Sequence, residues 1–192
     1  TINVSSGAGT SPSVSNSGVT HSTTYKKFGT SSLQVGTNDY MDVTLGATLT
    51  DWTFECWYRQ NGNNSGSNQN GHIISSTNFY LIYSTTNNKF YTYDGSSSGI
   101  SDDVSSIIED GNWHHIAYTM SASSGDKLYL DGTQLTMTGT ITKSISSVSI
   151  GRGASPWQTQ LLSADLEEIR FSNRVEYTSN FSLAPSVPTA AF

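Results

Sequence analysis

His114 and His115 stand side by side in the stretch NWHHIAYTM, and two adjacent imidazoles raise metal ligation or acid–base catalysis. The run reads as a strand, whose successive side chains point to opposite faces. Trp113, His115, Ala117 and Thr119 then share one face, and His114, Ile116, Tyr118 and Met120 the other. Such a pair cannot close on one ion or one reacting atom. Strand-borne zinc sites use alternate positions, and no His, Cys or carboxylate lies two residues from either imidazole. The expectation is one imidazole packed and hydrogen-bonded and the other at the surface. The following KLYLDGTQL holds Asp131-Gly132 between two alternating runs, the signal of a type I′ hairpin in which both central residues need φ > 0. Asp131 is read as a turn residue.

Other residue types suggest recognition. Sugar sites stack an aromatic ring on a pyranose and surround it with polar groups. Trp157, in the polar loop GRGASPWQTQ, fits that role, and Tyr80, Tyr83, Tyr91 and Tyr93 could line a sheet face. Trp57 and Trp113 read as core. In ADLEEIR, Asp165 and Glu167 share a strand face and could pair with Arg170, Arg174 or Lys27. The Asn-rich stretch 61–70 reads as a loop open to a partner. No Gly-x-Ser-x-Gly, His-Glu-x-x-His or phosphate-binding glycine loop occurs.

The elements that must position these residues are strands. Ser, Thr and Asn make up more than a third of the 192 residues, only 12% are charged, and 17 are Gly. That composition suits short strands and tight turns. From Ser31 onward strand-like runs alternate with turn signals, and helical periodicity is confined to single turns at 105–110 and 175–180. The fold class is all-β, an antiparallel two-sheet sandwich in one domain. A net charge of −6 with scattered basic residues argues against nucleic acid and anionic membrane. No apolar run approaches the length of a membrane span. Cys56 is the only cysteine, so no intrachain disulfide forms. The start at Thr1 and the ending SLAPSVPTAAF read as cuts from a longer polypeptide.

Taken in order, FGTSSLQV, WTFECWYR, DGNWHHIAYTM, DKLYLDGTQL, VSIGRG and ADLEEIRFSNRVEYTSNFSLAP resemble the concanavalin A-like, laminin G-like jelly rolls over residues 28–185. The resemblance implies two antiparallel sheets packed as a jelly roll. The closing RVEYTSNFSLAP is similar to modules of bacteriophage structural proteins. It implies a surface-exposed module on a virion that attaches to host glycans, with neighbouring virion proteins as partners and homo-oligomers formed through the parent assembly. A secreted cellular lectin, for which sequons at Asn3, Asn63 and Asn180 would permit glycosylation, a purely architectural virion domain and a degenerate glycan-cleaving enzyme stand as alternatives. Many relatives hold a structural calcium, which by position would use Gly29 and Glu167 with Asp165 nearby. Glu167 stands where the family pattern has aspartate. Glucanases of this fold use acids in an E-x-D-x-x-E run on one strand. No such run is present, so the chain is read as a non-enzyme.

Overall fold

The computed structural model describes residues 2–4, 11–36, 38–66 and 69–183. The strands, in chain order, are β1 (Ile2–Val4), β2 (Ser13–Ser17), β3 (Thr20–Ser22), β4 (Ser32–Val35), β5 (Tyr40–Leu49) and β6 (Trp52–Gln60). They continue with β7 (Asn70–Ser76), β8 (Phe79–Ser84), β9 (Lys89–Tyr93) and β10 (Ser98–Ile100). A single helical turn, α1 (Ser105–Ile108), precedes β11 (His114–Ser121), β12 (Gly125–Leu130), β13 (Thr133–Gln134), β14 (Ile145–Ile150) and β15 (Ala164–Ser172). The expected turn at 175–180 is not helical; that segment is irregular, with bends at 178 and 179.

Two sheets form the sandwich. Sheet A runs β13-β12-β11-β6-β15-β4-β3, with β1 added in parallel to β15. Sheet B runs β10-β9-β8-β7-β14-β5-β2. The non-consecutive neighbours β11-β6-β15-β4 and β7-β14-β5-β2 make this a jelly roll rather than a meander. Alternation explains the core. Trp52, Phe54, Cys56 and Tyr58 of β6 face inward with Ile116, Tyr118 and Met120 of β11 and Leu166, Ile169 and Phe171 of β15. From sheet B they meet Val43, Ile74, Phe79, Leu81, Tyr83 and Phe90. A bulge in β15 lets two inward apolar residues, Leu166 and Ile169, sit three apart, with Glu168 at φ 48 absorbing the extra residue.

The core tryptophan is therefore Trp52, whose indole N–H donates to the carbonyl of Lys143 at 2.8 Å. Trp57 lies on the outer face of sheet A, edge-on to Phe28 and beneath the Lys27 ammonium at 4.3 Å. Trp113 is half-buried. Asp131 and Gly132 have φ of 50 and 78, as the hairpin reading requires.

The outer face of sheet A is covered by two segments. Residues 23–31 lie over Trp57 and Arg59, where Tyr25 stacks on the Arg59 guanidinium at 3.7 Å. Residues 174–181 form a strap. Tyr177 donates to Glu55 at 2.8 Å, the amide of Gln134 donates to the Asn180 side chain, and the Phe181 N–H donates to the Gly132 carbonyl. Phe181 stacks on Tyr177 with ring centroids 3.7 Å apart and reaches His115 and Tyr129 edgewise or tilted. The closing Y-T-x-N-F motif is thus explained by sheet coverage.

Candidate functional site

On the outer face of sheet B aromatic rings gather around the loop between β14 and β15, and the outward His72 and Ile82 are buried there. Phe79, Leu81 and Tyr83 of β8 point inward, so Tyr80 and Ile82 point outward; Phe90 and Thr92 of β9 point inward, so Tyr91 and Tyr93 point outward. Register places Tyr80 opposite Tyr93 and Ile82 opposite Tyr91. The Tyr80 and Tyr93 rings stack at 5.3 Å. Trp157, delivered by the loop between β14 and β15, stands perpendicular to both at 5.3 and 5.9 Å. His72 of β7 lies under the indole, nearly parallel to it at 6.5 Å. Cross-strand pairs of this kind contribute to sheet stability while leaving faces and edges for a ligand.

Of the five residues put forward for a glycan, the structure brings Trp157, Tyr80 and Tyr93 into contact and puts Tyr91 on the same face. Tyr83 is a correction. It is fully buried against Phe90, and its hydroxyl donates to Glu109 at 2.7 Å. Burial and the neighbouring Glu109 carboxylate push the phenol far above its ordinary value. Strand parity fixed by Phe79 and Leu81 carried this information. Sequence reasoning left His72 unremarked; its position two strands away from Tyr93 becomes visible only with the sheet order.

The loop at 61–66 is a support. Asn64 is buried, donates to the Tyr83 carbonyl at 2.9 Å and accepts the amide of Ser163 at 3.0 Å. A Cβ on Gly66 would meet the Thr159 carbonyl at 2.6 Å, so the loop abuts the Trp157 segment at a glycine.

The histidine pair falls on opposite faces, as alternation demands, but both rings are buried and both meet carboxylates. His114 lies between Asp131 (2.6 Å) and Asp110 (2.9 Å). The Asp131 hydrogen bond raises its pKa most, against the opposing pull of burial, with Asp110 adding to the rise. His115 meets Glu55 at 3.2 Å. Burial tends to raise the Glu55 pKa, but the hydrogen bond from His115 and the Arg170 charge together hold it below the ordinary value.

Gly29 and Glu167 do line one cavity of about 310 Å³, together with His21, Thr30, Ser31 and Glu168. Asp165 does not line it. It is fully buried, paired with Arg59 at 2.9 Å, and burial raises its pKa in spite of that partner. Each oxygen of Glu167 accepts a main-chain N–H, from Lys27 at 2.6 Å and Phe28 at 2.9 Å. Calcium requires six to eight oxygens. Among the described residues no group of three or more His, Cys, Asp or Glu is placed to hold a metal ion. As a set, Gly29, Asp165 and Glu167 do not fit a calcium ion; Glu167 acts as a clip on the 23–31 segment.

Residues 35–176 match the concanavalin A-like lectin/glucanases superfamily. The chain belongs to that superfamily. Among solved structures it is similar to the binding domain of Paraclostridial Mosquitocidal Protein 1, with a TM-score of 0.61 and 12% identity over 88% of this chain and 45% of that one. It is also similar to the receptor binding domain of botulinum neurotoxin D, with a TM-score of 0.59 and 15% identity over 86% and 45%. The botulinum neurotoxin type G receptor binding domain gives 0.56 and 12% over 86% and 44%. This superfamily member spans less than half the length of each, and at these identities the likeness is one of fold. Curated proteins give no significant match.

Proposed function

We propose that this chain is a non-catalytic, surface-exposed binding module of a phage or virus structural protein, attaching to host glycans through the outer face of sheet B. The observation that carries the reading is the Trp157–Tyr80–Tyr93 cluster, with Tyr91 beside it, half-buried on the outer face of sheet B. Aromatic rings with polar rims are the chemistry that receives the apolar face of a pyranose. The superfamily name, which includes lectins, supports the same reading, as do the binding-domain titles of the similar structures. The virion setting rests on the resemblance of the closing segment to phage modules, and neighbouring virion proteins are its further partners.

A glycan array probed with the whole chain tests the proposal. Binding to one class of cell-surface polysaccharide is expected, with Trp157→Ala weakening it at least about tenfold, equivalent to ~1.4 kcal/mol. Silence across the array, or equal binding by the variant, would remove it. Product analysis after incubation with the bound glycan should return intact glycan; shortened chains would make the module an enzyme.

A further inference from the structure

His72 is fully buried, and the loop that carries Trp157 closes directly over it. The base of that loop is held to its neighbours: Gly151 donates to the His72 carbonyl at 3.1 Å, Ser75 Oγ to the Arg152 carbonyl at 2.8 Å, and Ser65 to the Leu161 carbonyl at 3.1 Å. Its tip is tied to itself, with Gly153 donating to the Gln160 carbonyl at 3.1 Å, Trp157 to Ala154 at 2.7 Å, and Gln160 to Trp157 at 3.0 Å. From the tip, Gln160 makes a side-chain hydrogen-bond contact to the sheet below, its Oε1 lying 2.9 Å from His72 Nε2. An amide oxygen accepts, so Nε2 carries the proton and Nδ1 holds a bare lone pair. Nδ1 is buried with no hydrogen-bond partner.

The groups around this ring leave a proton on Nδ1 without compensation. Tyr80 from β8 meets it edge-on at 5.4 Å, and Trp157 and Gln160 face it from the loop. Arg152, at the end of β14, turns its guanidinium onto Tyr40 at 3.4 Å and toward Asp42 at 3.2 Å. No carboxylate lies within ion-pair distance of His72 among the described residues. A second proton would create a buried cation and a buried donor with no acceptor, both strongly unfavourable.

We infer that His72 is the positioning residue for Trp157 and makes this face acid-releasing: the neutral imidazole holds the aromatic loop closed, and protonation opens it. The binding half of this inference rests on the proposed glycan reading; the loop half does not. Burial holds the closed-state pKa down to about 4, against ~6.5 for a solvated imidazole. The proton is therefore bound more readily in the open state. The open-to-closed ratio rises roughly tenfold per pH unit below ~6.5 and levels off below about 4, a few hundredfold in all.

The test labels the four tryptophans with 5-fluorotryptophan and follows their ¹⁹F resonances from pH 7.5 to 3.5, with Trp157→Phe assigning the relevant line. In the native chain the Trp157 line should move toward the solvent-exposed frequency across that window while the Trp52 line stays fixed. His72→Gln, which keeps a donor for Gln160 but cannot titrate, should hold the Trp157 line still. Gln160→Leu should shift it already at pH 7.5. A glycan array run at pH 7 and pH 4 should lose at least about tenfold in signal for the native chain and little for His72→Gln. A Trp157 line that does not titrate, or that titrates equally in His72→Gln, overturns the inference. A titrating line with no glycan bound at either pH upholds the latch and removes the glycan reading instead.

Discussion

At the scale of single residues, Asp131 fixes both a turn and the neighbouring strand. Its left-handed backbone makes the hairpin, one carboxylate oxygen accepts the His115 amide at 2.8 Å, and the other meets His114. The sign of the His114 contribution follows from its raised pKa. The ion pairs stabilise the fold below the unfolded value of ~6.5 and are lost as pH rises through the higher folded value. Thermal melts should show the native chain more stable than His114→Gln at pH 5.5, with the gap narrowing by pH 9. The gain should stay within about 1 kcal/mol, because both carboxylates are about one-third exposed. A gap that widens with pH would contradict the assignment. The sequence separated the two histidines by parity alone, and that was sufficient. It did not show that both would be buried against acids, because Asp110, Glu55 and Asp131 approach from other elements. Tyr83 was legible in principle: Phe79 and Leu81 set an inward parity that includes it.

Elements supply what single residues cannot. Strap 174–181 and segment 23–31 each take one of their anchors from a carboxylate on the outer face of sheet A. Glu55 receives Tyr177, Arg170 and His115, and Glu167 receives two main-chain amides. Breaking a buried charged network by removing one partner costs several kcal/mol. Glu55→Gln should lower stability by about 3 kcal/mol in denaturant melts and expose the strap to limited proteolysis near Thr178; a strap as resistant as the native one would deny it this anchor. Glu167 leads to a second outcome. Since its oxygens already hold Lys27 and Phe28, chelator should leave the melting temperature unchanged, whereas a ligand bound only to the native state would raise it. A drop with chelator would restore an ion to the cavity beside Gly29. The strands were legible from period-two patterning and turn residues. The strap was not, because YTSNF carries no periodicity and its partners lie about fifty or more residues away in the sequence, on β6, β12 and the Asp131–Gln134 hairpin.

At the scale of the whole molecule, two sheets with one shared core leave two unequal outer faces. Sheet A is covered by the strap and the 23–31 segment, while sheet B carries a half-buried aromatic cluster on its outer face. In the proposed reading that asymmetry puts the stabilising motifs on one side and the binding face on the other, and the residues that drew attention as chemistry, His114, His115 and Asp165, belong to the stabilising side or to its end. The loop that presents Trp157 was legible as polar and exposed; the convergence of Trp157 with Tyr80, Tyr93 and His72 required the order of strands in sheet B. The most direct test of this division is an NMR titration of the isotope-labelled chain with the glycan that it binds best on an array. Shifts should concentrate at Trp157, Tyr80, Tyr91 and Tyr93 and leave the Tyr177–Phe181 strap unmoved. Shifts centred on the strap or on the Gly29–Glu167 cavity, with the Trp157 cluster silent, would contradict the account.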